Sequence, residues 1–161
     1  MHVHHEESEH DCRPRVIIWQ LTPREGEHVN GNPLLSQQEC MLVIDGIARV
    51  AKSIVVLTGS SLMRREDLFD VVAYGHALGL KMILEVEPEE LTEATLTKYH
   101  QFGNRIFRII LDSRVVEDPD NRYRQSPEFL RLEECVKLMK QIGFEIHFAL
   151  AIDPPNVRTR E

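Results

Sequence analysis

The sequence contains no CxxC pair, and its three cysteines, Cys12, Cys40 and Cys135, are odd in number and far apart. That usage suggests neither a disulfide framework nor a compact zinc motif. No apolar run approaches the ~20 residues that a bilayer-spanning helix needs, and the N-terminus is rich in His and Glu where a secretory signal is basic and then apolar. No membrane partner and a cytoplasmic location are therefore expected. Basic charge is in short supply: 19 Lys and Arg stand against 26 Asp and Glu, a formal net charge of -7. A nucleic-acid partner is not expected, because neutralising phosphates takes a basic face. H-E-x-x-H, a G-x-S-x-G elbow, a Walker loop and G-x-G-x-x-G are all absent, which leaves several common enzyme chemistries without their signature.

What is present reads as one α/β domain. A chain of 161 residues with 42% hydrophobic content can bury a core without covalent staples. The organising stretch is Ser53–Leu84. Ile54–Leu57 is a β-branched run without polar alternation, the mark of a strand covered on both faces. Thr58–Gly59–Ser60–Ser61 follows as a loop. Arg65–Leu78 then carries apolar residues at helical spacing, with Gly79 as a stop and Lys81–Leu84 as the next strand. The unit is βαβ.

The same alternation extends both ways. Val16–Leu21 is a strand, and Ser36 with Glu39 three residues on forms a capping box that opens a helix running to about Lys52. In that helix Met41, Leu42, Ile44, Ile47, Ala48 and Ala51 are available for burial. Glu85–Leu91 reads as an acidic loop, Thr92–Phe102 as a helix and Arg105–Leu111 as a strand. Glu128–Ile142 is a helix with an apolar stripe that includes Leu130 and Leu132, and Glu145–Ile152 is the last strand. Cys40 and Cys135 fall within the apolar helix patterns as small buried hydrophobes. Five strands alternating with four helices make a (βα)4β parallel sheet spanning residues 15–153, between polar tails at 1–14 and 154–161. Periodicity does not choose between a doubly wound open sheet and an incomplete barrel, because both repeat the same unit.

Candidate functional residues lie in the N-terminal tail and at the strand ends. His2, His4, His5, His10 and Cys12 could ligate a transition metal such as Zn or Ni, or belong to a solvated tail. In a β/α fold the carboxyl ends of the strands and the loops after them build the site. Those positions are Thr22, Glu25 and His28 after strand one, Gly59, Ser60 and Ser61 after strand two, and Glu85 and Glu87 after strand three. Asp112, Arg122 and Arg124 follow strand four. The acidic loop could take a hard cation or supply carboxylates to a helix N-terminus. Arg122 and Arg124 could bind an anion or pair with Glu117, Asp118 or Asp120.

Several motifs recur in a family order. Trp19–Gln20–Leu21–Thr22 ends the first strand, and Leu35–Ser36–Gln37–Gln38–Glu39 opens the first helix. Thr58–Gly59–Ser60–Ser61–Leu62 is followed by Arg65–Glu66–Asp67–Leu68–Phe69. Leu111–Asp112 ends the fourth strand, and Asp118–Pro119–Asp120–Asn121–Arg122–Tyr123–Arg124 precedes the fourth helix. Their order and spacing resemble the radical S-adenosylmethionine enzymes, the branch that matures peptides and modifies haem precursors. The resemblance implies an incomplete TIM-like barrel of βα units, of which the family has six.

The resemblance also implies a C-x-x-x-C-x-x-C loop for a [4Fe–4S] cluster, and here those positions fall on Glu25, Val29 and Asn32. The family's GGEP loop cradles the methionine end of the cofactor, and its second Gly and its Glu are Ser60 and Ser61 here. Glu85–Val86–Glu87 replaces a T-N-G-type strand end. On this reading no cluster cofactor is expected, and the domain is a pseudoenzyme that binds a partner protein, a peptide or a small ligand at the barrel mouth, a radical SAM enzyme among the candidate partners. Weak binding of S-adenosylmethionine or another nucleoside through Gly59, Ser60, Ser61 and Asp112 is a further expectation. The alternative is a divergent radical SAM or metal-dependent enzyme that uses other ligands, such as His28, Glu25, Glu85, Glu87 and Asp112. Five strands where the family has six would leave an edge, so a homodimer that covers strand one or strand five is expected.

Overall fold

The computed structural model describes residues 13–23, 34–111, 115, 120 and 122–150. The element order is β1 (Val16–Gln20), α1 (Gln37–Val50), β2 (Ile54–Thr58), α2 (Leu68–Ala77), β3 (Lys81–Val86), α3 (Glu93–Gln101), β4 (Ile106–Leu111), α4 (Pro127–Ile142) and β5 (Glu145–Leu150). The five strands form one sheet in the order β1-β2-β3-β4-β5, and every neighbouring pair is parallel.

That order resolves what periodicity left open. A doubly wound sheet reverses its strand order at a switch point, whereas a barrel adds each strand beside the last. Here each strand joins its predecessor. The helices lie on one face: the main core joins Ile44, Leu68, Val71, Leu96 and Leu132 of the helices to Val55, Leu57, Leu84, Phe107 and Ile109 of the strands. The opposite face holds a small separate cluster of strand residues, Val56, Ile83 and Ile106, with Ile54 against it. The architecture is thus α/β with a parallel sheet of partial TIM-barrel type.

Local chemistry sets the helix ends. Ser36 Oγ accepts from Glu39 N at 3.3 Å, and Glu39 Oε2 accepts from Ser36 N at 2.8 Å, the expected capping box. Two hydrogen bonds from Ser36 hold Glu39 below the usual carboxylate range: the main-chain N–H first, then the side-chain hydroxyl. Thr92 and Ser126 cap α3 and α4 by accepting from Thr95 N and Phe129 N. Gly75 sits where α2 crosses β3, and a Cβ there would run into the Met82 side chain. The helix approaches the sheet that closely because the residue has no side chain.

Three expectations are corrected. Leu42 is 69% exposed and Leu130 49% exposed, although both were expected in the core. Each stands two residues from a buried neighbour, Ile44 and Leu132, and two residues carry a side chain about 200° round a helix. The helix expected from Arg65 begins at Leu68 instead. Leu62–Arg64 forms a separate 3-10 turn, and Arg65 is extended with ψ 117. The third strand runs on to Val86, so Glu85 belongs to the strand and not to an acidic loop.

Candidate functional site

In a parallel sheet, hydrogen-bonded partners project from the same face. The register pairs Gln20 with Thr58, Glu85 with Arg108 and Arg108 with His147. Leu57 pairs with Leu84, so the next step of the same register sets Thr58 beside Glu85. Gln20, Thr58, Glu85, Arg108 and His147 therefore form one row, with one residue from every strand, on the face without helices. The adjacent row of that face is Ile18, Val56, Ile83, Ile106 and Glu145.

The middle of the row is bonded from side chain to side chain. Thr58 Oγ1 donates to Glu85 Oε1 at 2.6 Å, and Arg108 Nε lies 3.1 Å from Glu85 Oε2. Both oxygens of the Glu85 carboxylate are thus engaged, and the side chain is only 10% exposed. A buried carboxylate is tolerated when it is paired and hydrogen-bonded in this way. Exposure rises along the row: Thr58 is buried, and the Arg108 side chain is 32% and the His147 side chain 41% exposed. His147 Nε2 stands 2.7 Å from Glu145 Oε1, a contact that holds the Glu145 carboxyl below its usual range. Arg108 meets the Glu85 carboxylate through Nε.

At the carboxyl ends of β1 and β2 the two loops are tied together. Leu21 N donates to Thr58 O at 2.8 Å, Thr22 Oγ1 to Ser60 O at 3.0 Å and Ser60 N to Pro23 O at 3.1 Å. Both backbone polar groups of Ser60 are therefore occupied within the chain. Gly59 has φ +136, and the carbonyl and hydroxyl oxygens of Thr22 stand where its Cβ would be. Ser61 takes the left-handed conformation with φ 53 and opens the Leu62–Arg64 turn. Glu90 joins the next loop to this one: its Oε1 accepts from Met63 N at 3.2 Å and its Oε2 from Glu87 N at 3.3 Å.

Thr22, Gly59, Ser60 and Ser61 thus come together at the β1 and β2 ends. Glu85 lies one layer deeper within β3, with Thr58 on one carboxylate oxygen and Arg108 near the other, a correction to its place in a loop. Glu87 and Glu90 serve a 3-10 turn over Pro88–Glu90. Arg122 is exposed and 3.5 Å from Asp120, the acid pairing weighed above, and Arg124 falls in the Tyr123–Gln125 turn before α4. Glu25, His28 and Asp112 lie outside the described residues, as do His2, His4, His5, His10 and Cys12. Among the described residues no three of His, Cys, Asp and Glu gather in a way that could hold a metal ion, and no helix is long and apolar enough to cross a membrane.

Cys40 and Cys135 are buried in α1 and α4, as the apolar patterns suggested. Burial pushes both thiols up. Cys40 lies 3.4 Å from Arg65 Nη2, but that guanidinium is committed to Asp67 at 2.5 and 2.8 Å and to the Leu35 carbonyl. Arg65 therefore pins the start of α1 to the start of α2.

Arg108, His147 and Thr58 were not among the sequence candidates. A signal was available: Arg108 interrupts the apolar run of β4 at the third position, as His147 does in β5. A charge within a strand that is otherwise built for burial needs a partner on the same face.

No family model matches the chain. An AdoMet-dependent heme synthase of Methanosarcina barkeri is 24% identical over 154 residues, covering 89% of this chain and 44% of that protein. An AdoMet-dependent heme synthase of Oleidesulfovibrio alaskensis is 25% identical over 153 residues, covering 89% of this chain and 39% of its own length. The chain spans less than half the length of these curated relatives. Over most of its length the chain, with its parallel sheet in barrel order, is thus similar to one part of two curated AdoMet-dependent heme synthases.

Proposed function

We propose that this chain is a radical-SAM-like domain that binds a partner protein, a peptide or a small ligand on the helix-free face of its sheet and assembles no cluster of its own. The observation that carries the reading is the row through Thr58, Glu85 and Arg108. Arg108 Nε lies 3.1 Å from Glu85 Oε2 and the Arg108 side chain is 32% exposed, so the guanidinium is positioned at a solvent-accessible point where an acidic group of the ligand can meet it. Ile106 and Ile110 flank Arg108 on the same face, since they stand two residues to either side along β4, and offer apolar contact beside the charge.

The family's cluster would need three thiolates, and the residues here do not fit it. In the register that the resemblance implies, the cluster positions fall on Glu25, Val29 and Asn32. Cys40 and Cys135 sit in separate helices, where burial opposes thiolate formation. The Ser60 main chain, which would line the cofactor cradle, is bonded to Thr22 and Pro23. The edges of the sheet, β1 and β5, are where a partner or a second copy would add. Val16 and Ile18 on β1 are 52% and 62% exposed there.

Anaerobic reconstitution with iron and sulfide, followed by elemental analysis and an absorption spectrum, tests the cluster part of the reading. The expected result is no retained iron. About four irons per chain with broad absorption near ~400 nm would mean a thiolate-ligated cluster and a divergent radical enzyme. Calorimetric titration of S-adenosylmethionine tests the ligand part. Weak saturable binding without cleavage, lost in Arg108→Gln, supports it; binding unchanged in that variant overturns the role of Arg108.

A further inference from the structure

At the opposite end of the sheet, where β3 and β4 begin, a cavity of about 330 Å³ opens beside the last turn of α2 and the turn at Gly103. Leu80, Met82 and Ile106 border it but are almost closed to solvent, at 3%, 0% and 6% exposed. Its rim carries His76 from α2, Lys81 from the start of β3 and Arg105 from the turn before β4. No carboxylate lines it. In a chain of formal net charge -7, a cavity bordered by basic side chains alone concentrates positive potential against the trend of the molecule.

The neighbouring groups leave this potential in place. The backbone carbonyls at the end of α2 present partial negative charge, but Lys52 Nζ already donates to Leu78 O at 2.9 Å and stands beside Gly79. Glu145 is the acid that senses Lys81; its carboxylate is also bound to His147 at 2.7 Å, and it does not line the cavity. His76 Nε2 lies 3.4 Å from Asn104 Oδ1, which orients the ring. Asn104 itself is buried and donates to the Ile106 carbonyl at 3.3 Å.

We propose that this cavity binds a small molecule with an oxyanion group, a phosphate ester or a carboxylate, at the rim that carries Lys81 and Arg105. The volume lies in the range of small-ligand sites. The site is separate from the row through Arg108 and does not depend on the function proposed for that row.

Amide correlation spectra of the full chain, titrated with phenyl phosphate, inorganic phosphate and benzoate, test this. Saturable shifts centred on Gly79, Lys81, Gly103 and Arg105 are expected, with affinity lowered about tenfold by either Arg105→Ala or Lys81→Ala. Both side chains are exposed, so the variants should fold, and an unchanged thermal midpoint checks that they do. Tighter binding of phenyl phosphate than of benzoate assigns a phosphate ester; the reverse order assigns a carboxylate. The proposal is overturned if none of the three probes gives saturable shifts, if the shifts survive the double variant, or if they centre on Arg108 and His147.

Discussion

Arg108 Nε stands 3.1 Å from Glu85 Oε2, and the other oxygen of the same carboxylate takes the Thr58 hydroxyl at 2.6 Å. One buried acid therefore cross-ties β2, β3 and β4 on the face that no helix covers. Removing one partner of a buried pair strands the other charge, whereas replacing both with apolar groups is often tolerated. Glu85→Ala should cost about 2–4 kcal/mol. The double variant Glu85→Leu/Arg108→Met should recover part of that loss. Urea unfolding of the singles and the double measures the coupling, and strict additivity would mean that the contact carries no energy.

Gly59 is predicted to accept no side chain. Its φ of +136 and the Thr22 oxygens both oppose a Cβ, so Gly59→Ala should destabilise by more than about 1 kcal/mol. Thr22→Ala removes only the hydroxyl bond to the Ser60 carbonyl and should cost about 1 kcal/mol. It should not rescue Gly59→Ala, because the Thr22 carbonyl remains in place. Denaturation midpoints of the two singles and the double decide this.

Two leucines and an isoleucine separate burial from pattern. Ile44 is fully buried, and Ile44→Ala should cost about 2–5 kcal/mol. Leu42→Ala and Leu130→Ala, at exposed positions, should fall within about 0.5 kcal/mol of the parent. A large loss at Leu42 in dilute solution, absent at Leu130, would show that α1 has a partner on its outer face.

Acid stability should depend on Asp67. The Arg65 guanidinium holds the Asp67 carboxyl below the usual range, so its folded value lies below its unfolded value. The stabilisation is complete above the ordinary carboxylate value of about 4 and is lost as the pH falls through the lower folded value. Asp67→Asn should lower stability at neutral pH and flatten the acid limb of a pH series of urea midpoints. An acid limb of unchanged steepness would remove Asp67 from this role.

Much of the chain was legible without coordinates. The five strands and four helices follow from residues that act locally: Ser36 and Glu39 cap α1 through each other's main chain, Gly79 and Gly143 stop helices, and the β-branched run at Ile54–Leu57 has no polar phase to face water. The placement of Cys40 and Cys135 among buried apolar residues was also readable. The resemblance to the heme synthases, which the comparisons support over most of the chain, was also suggested by the order of the loop motifs.

Only the tertiary structure decided the rest. The choice of barrel order over a doubly wound sheet depends on which strand lies beside which, and a strand's own residues do not encode its neighbour. Helix periodicity made Leu42 and Leu130 available for burial, but the width of the contact with the sheet decides which flank is covered. The row through Thr58, Glu85 and Arg108 joins residues that lie 27 positions apart at its first step, in strands that each read alone as apolar. Parallel register brings them to one face, and burial of the Glu85 carboxylate makes its pairing with Thr58 and Arg108 a structural requirement.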